Sequence, residues 1–252
     1  MAVRTELFFD GRVLRLLLDT PKGNVLDAAM IAGLRGALRD HVDAHTRLLV
    51  FEGAGPHFSF GASVAEHQAP HAAAMLDAFH GLFADLAERA IPTCAVVRGC
   101  CLGGGLELAS WCTRVVATPD ASFAQPEIRL GLFPPMASVL LPWRCGGAAA
   151  LELCVTGRAL TASEALDLRV VDAVSEDPDA WWRAWYSTRL ASASAVALRF
   201  AEKAVRRSLL AALERDLPAL ERLYLHELMH THDANEGLAA FLARRPPEFV
   251  DA

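Results

Sequence analysis

The stretch from Thr93 to Trp111 constrains the fold more than any other part of the chain. Thr93 to Val97 is a short apolar run of strand length, Gly99 to Gly105 is a loop ending in three consecutive glycines, and Leu106 to Trp111 returns to a helical pattern. The same order of strand, loop and helix recurs across the first 190 residues. Val13 to Leu18 is followed by the polar break Thr20-Pro21-Lys22-Gly23-Asn24, and from Asp27 onward Met30, Ile31, Leu34 and Leu38 repeat at helical spacing. Leu48 to Glu52 reads as a strand, Gly53 to Ser63 as a loop, and Met75, Phe79, Leu82, Phe83 and Leu86 share one helical face. Val115 to Ala117 is one more strand. Such recurrence predicts an α/β domain with largely parallel strands.

After Ser192 strand signals stop. Helices are expected at about Ala195 to Leu210, Leu213 to Thr231 and Asn235 to Arg244, with Pro246-Pro247 ending the last one. The 252 residues amount to about 1.7 domains of typical size, which fits a core over residues 1–190 and a helical region over 191–252. At 53% hydrophobic residues, the chain can bury a large core. A net charge of −6 gives no reason to expect nucleic acid or an anionic membrane as partner, so an anionic ligand must be met by a local patch. Cys94, Cys100, Cys101, Cys112, Cys145 and Cys154 sit within apolar segments and read as reduced thiols of a cytoplasmic protein. The first residues lack a cleavage site of small residues, and charges break every apolar run before it reaches the ~20 residues of a membrane span.

Three segments can carry chemistry. The first is Val97 to Leu108, where a strand runs through Gly103-Gly104-Gly105 into a helix. Glycines let backbone amides approach a ligand, and the helix dipole suits a developing oxyanion. The same glycines also permit close packing of helix on strand. The segment is neither GxGxxG nor a P-loop. The second is Phe58-Ser59-Phe60-Gly61-Ala62-Ser63-Val64, another loop after a strand, which could supply a second amide to the same oxygen. The third is Phe123-Ala124-Gln125-Pro126-Glu127-Ile128, where an acid stands in apolar surroundings. Glu107 does so too. Each glutamate taken singly reads as a dipole partner or a loop ion pair. As a pair, with pKa values raised by apolar surroundings, they fit acid/base chemistry near neutral pH.

In their order these segments resemble the enoyl-CoA hydratase/isomerase (crotonase) superfamily. The likeness extends through Val155-Thr156-Gly157-Arg158-Ala159-Leu160 and Thr161-Ala162-Ser163-Glu164-Ala165-Leu166 to Glu236-Gly237-Leu238-Ala239-Ala240-Phe241-Leu242, nearly the whole chain. Phe58 to His67, Gln125-Pro126-Glu127-Ile128 and Phe133-Pro134-Pro135 are most similar to its ring-hydrating branch, which acts on cyclic dienoyl-CoA thioesters. The resemblance implies a crotonase-like spiral of repeated ββα units with a C-terminal helical oligomerisation region. It implies a cytoplasmic acyl-CoA hydratase of fatty-acid or aromatic-acid degradation that adds water across a conjugated enoyl- or dienoyl-CoA. The oxyanion-hole amides would be those of Ala62 and Gly104, and the two hydratase carboxylates Glu107 and Glu127. No cofactor is implied, since coenzyme A arrives with the substrate. The assembly would be a homotrimer or a dimer of trimers.

The sequence departs from the family pattern twice. Ser63 stands where most members have Asp, and Pro134-Pro135-Met136-Ala137-Ser138 replaces the usual PGxGG. Neither departure is expected to touch the proposed carboxylates or amides, although both fall near the acyl pocket. In the implied mechanism the two amides stabilise an enolate-like state, Glu107 holds and deprotonates water, and Glu127 gives a proton to carbon. A cyclic diene would take that proton at the far end of its second double bond, a net 1,4-addition. Substrate and CoA contacts are expected from Lys22, Phe60, Ser63, Arg98, Arg244 (or Arg245) and Phe249, the last against adenine.

An isomerase or another lyase of the superfamily is the second reading. From another class, His226-Glu227-Leu228-Met229-His230 matches the HExxH of zinc peptidases, with His232 or Glu236 as a third ligand. Against this, its place among the assembly helices favours structural or interface histidines and no metal. His57 with Ser59 or Ser63 lacks a GxSxG elbow, and Trp181, Trp182 and Trp185 read as helix packing.

Overall fold

The computed structural model describes residues 2–21 and 23–252. Its main sheet has six strands. In chain order the elements are β1 (Val3–Phe8), β2 (Val13–Leu18), α1 (Ala28–His41), β3 (Leu48–Gly53), α2 (Ala72–Arg89), β4 (Thr93–Val97), β5 (Cys100–Leu102), α3 (Gly104–Trp111), β6 (Arg114–Ala117), β7 (Ser122–Ala124), α4 (Pro135–Cys145), α5 (Gly147–Thr156), β8 (Ala159–Thr161), α6 (Ala162–Asp167), β9 (Ala173–Val174), α7 (Pro178–Trp185), α8 (Ala195–His226) and α9 (His232–Leu242). Only β1 and β2 of the main sheet pair antiparallel; the other neighbours are parallel, in the register Val13↔Leu48, Leu49↔Thr93, Cys94↔Arg114 and Val116↔Ala173. A smaller sheet, β5-β7-β8, stands beside it.

The parallel strands are buried on both faces, and the period of two sorts their side chains. Leu14, Leu16, Leu18, Leu49, Phe51, Ala95 and Val97 join the core that contains the apolar faces of α1 and α2. Val13, Leu48, Val50, Cys94, Val96 and Val116 point the other way, onto Trp182, Tyr186 and Leu190. Trp182 is fully buried there, with Phe8 edge-on at 5.6 Å. All six cysteines are free.

Three expected boundaries shift. The pair Cys100-Cys101, expected within a loop, forms the short strand β5 beside β7. The two helices expected on either side of Ala211-Ala212 are one continuous α8, since alanine favours the helix and Pro218 is accommodated within it. The last helix ends at Leu242, ahead of Pro246-Pro247, where Arg244 takes φ +55°.

Helix α8 lies on α2 and α4. It is fastened by Arg206, which is buried, pairs with Glu202 at 2.6 Å, donates to the Trp111 carbonyl at 2.8 Å and stacks on the Trp111 ring. Arg206→Ala would leave Glu202 buried without its counter-ion. A loss of roughly 3–5 kcal/mol is expected in urea denaturation. No helix among the described residues is long and apolar enough to cross a membrane.

Candidate active site

The loop after β3 is held by a buried asparagine. Asn24 sits at φ +53° and its amide donates to the carbonyls of Ala54, His57 and Phe58. Ser59 Oγ in turn donates to the Asn24 carbonyl at 2.8 Å and accepts from the Gly61 amide at 3.0 Å. The Leu102 amide donates to the Ser59 carbonyl, and the Leu26 amide to the Gly61 carbonyl, both at 2.9 Å. These bonds lay the Ala62 segment against the start of α3. A Cβ on Gly104 would stand only 3.2 Å from the Ala62 nitrogen. The Gly104 amide is the first of α3, so no carbonyl one turn earlier accepts from it. The Ala62 amide likewise has no backbone acceptor. Two free N–H groups therefore converge, which is what a developing oxyanion needs.

Ala62, Gly104, Glu107 and Glu127 line one cavity of about 30 Å³, with room for about one water. Its other walls include His67, Met75, Phe79, Phe133, Pro134 and Tyr224. Glu107 Oε1 accepts the Ala137 amide at 2.7 Å. Glu127 Oε1 accepts from Gln125 Nε2 at 3.1 Å, while its Oε2 is buried without a partner. Burial, joined by the charge of Glu127, pushes Glu107 up to about 8. Burial pushes Glu127 up to about 7, against its own backbone amide and Gln125, which favour the ionised form. Two carboxyls facing one small, enclosed space cannot both ionise at little cost, so the pair retains a proton near neutral pH.

The departure at Pro134 to Ser138 was expected to leave the carboxylates untouched. It does not: the Ala137 amide holds Glu107, and Pro134 and Pro135 wall the cavity. Ser63 stays out of the cavity and acts through its carbonyl, which accepts from His67 Nδ1 at 2.7 Å. A carbonyl only accepts, so His67 carries its proton on Nδ1, and burial lowers its pKa. Phe60 stands outside, half-exposed over Gly23 and beside His57.

Arg98 does not join these residues. It is spent in an ion-pair network with Glu52 and with Asp179, the latter at 2.7 Å, where Arg15 also pairs. Arg245 is held by Glu236. Arg244 and Phe249 lie in the exposed tail after α9, and Lys22 falls outside the described residues. The HExxH pattern straddles a break: α8 ends at His226, Glu227 caps it, and Leu228–His230 is a separate 3-10 turn. Its two histidines thus do not share one helix face. Among the described residues no three His, Cys, Asp or Glu side chains gather as a metal site.

Residues 9–252 match the enoyl-CoA hydratase/isomerase family. The chain belongs to this family, within the crotonase superfamily. It is similar to the cyclohexa-1,5-dienecarbonyl-CoA hydratase of Thauera aromatica, with 46% identity over 237 residues, covering 94% of this chain and 92% of the relative. A probable enoyl-CoA hydratase of Rhizobium meliloti is 36% identical over 250 residues, 95% of each chain. Among solved structures, an enoyl-CoA hydratase from Mycobacterium avium superposes with a TM-score of 0.87 at 28% identity, covering 98% of both chains. The α/β architecture with its C-terminal helices is thus the crotonase fold, and the protein is an enzyme of the enoyl-CoA hydratase type, a hydro-lyase.

Gln125, Ala137, His67 and Tyr224 were not singled out from sequence. Gln125 was within reach, since it stands two residues before Glu127 in the QPE motif; an apolar residue offering only its amide, or a tyrosine in a long helix, gives no such signal.

Proposed function

We propose that the enzyme hydrates a conjugated alicyclic dienoyl-CoA thioester. The observation that carries this reading is the pair of glutamate carboxyls lining a water-sized space beside two amides without a backbone acceptor. The thioester carbonyl oxygen accepts hydrogen bonds from the Ala62 and Gly104 amides, which draws charge from the β carbon. The two carboxyls share one proton, and with that proton on Glu127 the ionised Glu107 removes a proton from water as oxygen attacks that carbon. Glu127 delivers its proton to carbon, at the far end of the second double bond when the substrate is a ring diene. Likeness to the Thauera aromatica enzyme supports the ring substrate. An isomerase would need one acid to shuttle a proton, and a second glutamate lining the same space favours hydration.

The cavity is too small for a cyclic acyl group, so its walls must part on binding. Met75 and Phe79 form the partition with a neighbouring apolar cleft of about 170 Å³ lined by Leu26, Ile31 and Ala78. Displacement of these two side chains joins the spaces. CoA enters only as part of the substrate, with Arg244 and Phe249 as the remaining contacts for its nucleotide end. Exposed apolar residues on α8, Phe200 and Val205, support assembly into a trimer or a pair of trimers through residues 191–252.

Turnover of cyclohexadienoyl-CoA and crotonyl-CoA by the purified enzyme tests the substrate. Preference for crotonyl-CoA would refute the ring reading and leave hydration standing. The dependence of kcat/KM on pH tests the acid pair. One glutamate must be protonated and the other ionised, so activity falls at low pH, when both are protonated, and at high pH, when the last proton leaves. Both shifts are upward, so the basic limb is expected at about 7 to about 8. A basic limb at the ordinary carboxylate value, about 4.5, would exclude a shared buried proton.

A further inference from the structure

The mechanism above leaves three polar side chains of the cavity wall unused, and whereas His67 and His80 bond to the Ser63 carbonyl and to Glu221, Tyr224 has no such bond. It comes from α8, 97 positions beyond Glu127 in sequence, and is 1% exposed. Its hydroxyl oxygen is buried and has no hydrogen-bond partner, and Glu127 Oε2 is in the same condition. Both residues line the 30 Å³ cavity, and the charge of Glu127 adds to burial in raising the Tyr224 pKa. Two unpartnered buried polar atoms bordering one small space are costly unless something bridges them. The phenol ring is itself fixed. Phe133 meets it edge-on at 5.6 Å, and the His67 ring lies 6.5 Å away, anchored by its bond to the Ser63 carbonyl.

We propose that the Tyr224 hydroxyl is a positioning group for the reacting water. It accepts the hydrogen that Glu107 does not remove, leaving a water lone pair free for carbon. Its own O–H makes no direct bond to Glu127 Oε2 but lines the same space, where its dipole favours the charge that Glu127 gains as its proton moves to carbon. Tyr224 forms no covalent bond and holds its proton throughout. The inference rests on the two-glutamate hydratase reading and does not depend on the acyl group.

Tyr224→Phe removes the hydroxyl and keeps the ring. Measured on whichever enoyl-CoA thioester the wild type hydrates, crotonyl-CoA included, kcat is expected to fall about ten- to a hundredfold with KM changed less than threefold. Loss of an O–H that favours ionised Glu127 moves the basic limb of the pH profile upward. The melting temperature should hold or rise, because the lost oxygen had no protein partner. A tyrosine that only fills the core would leave kcat within twofold and the pH limb in place, and that outcome overturns the proposal. A second arm needs no turnover. Crystals of the wild type at high resolution should show an ordered water within hydrogen-bond distance of both Tyr224 Oη and a carboxylate oxygen of Glu107 or Glu127. An ordered cavity without that water overturns the proposal as well. Wild-type failure on the cyclic diene with Tyr224→Phe still impaired on crotonyl-CoA would reject the ring substrate alone.

Discussion

Glu107→Gln and Glu127→Gln should each lower kcat for hydration by about a hundred- to ten-thousandfold, with KM far less affected. Either change removes one half of a proton relay. Because the two carboxyls act as a unit, the double variant should be little worse than the poorer single one. Glutamine keeps the shape and, at position 107, an oxygen able to accept the Ala137 amide, so loss of activity should not reflect loss of fold. Stability gives a second readout. Both carboxyls titrate higher in the folded chain than at their ordinary value, so between that value and the raised one the folded state binds more protons than the unfolded state. Stability then falls as pH rises through that window. Glutamine does not titrate. The melting temperature of Glu107→Gln relative to wild type should therefore increase from pH 5 to pH 8. Full activity in either glutamine variant would sink the two-carboxylate mechanism.

The parts of this molecule that were legible in its sequence are those encoded within a few residues. β2 and β4 were read to their ends because strands buried on both faces are nearly continuous apolar runs, with Arg15 the single charge in β2. β1 was not, since Arg4, Thr5 and Glu6 on an edge strand carry no such pattern. The glycine run and the two glutamates stood out because close backbone approach and an acid in apolar surroundings each need a particular residue type. The rest of the site is assembled by contact at long range. Ala137 contributes an amide, which any residue but proline supplies, and Tyr224 arrives from α8. Arg98 erred in the opposite direction. A cation beside a ligand loop reads as a phosphate contact until the fold brings Glu52 and Asp179 against it.

Gly104→Ala should abolish most of the activity through a single methyl group. Gly104 opens α3 with ordinary helical backbone, so alanine costs nothing in conformation and the effect isolates the space in front of the amide. That methyl would lie 3.2 Å from both the Ala62 nitrogen and Phe79 Cζ, tighter than ordinary contact on two sides. It would occupy the place where the carbonyl oxygen must sit to reach both amides. Loss of one such donor typically costs about 3 kcal/mol, so kcat should drop about a hundred- to a thousandfold. Adding Phe79→Leu distinguishes two causes. If the methyl harms only by pushing on the ring, the smaller leucine restores activity; if it blocks the Ala62 amide, the double variant stays inactive. Gly103→Ala is the contrasting case: at φ +49° its Cβ would meet Glu127 Oε1 at 2.6 Å, so it should move the pH profile, whereas Gly104→Ala lowers the rate without moving it. Full activity in Gly104→Ala would mean that the thioester oxygen sits elsewhere, and the oxyanion hole with it.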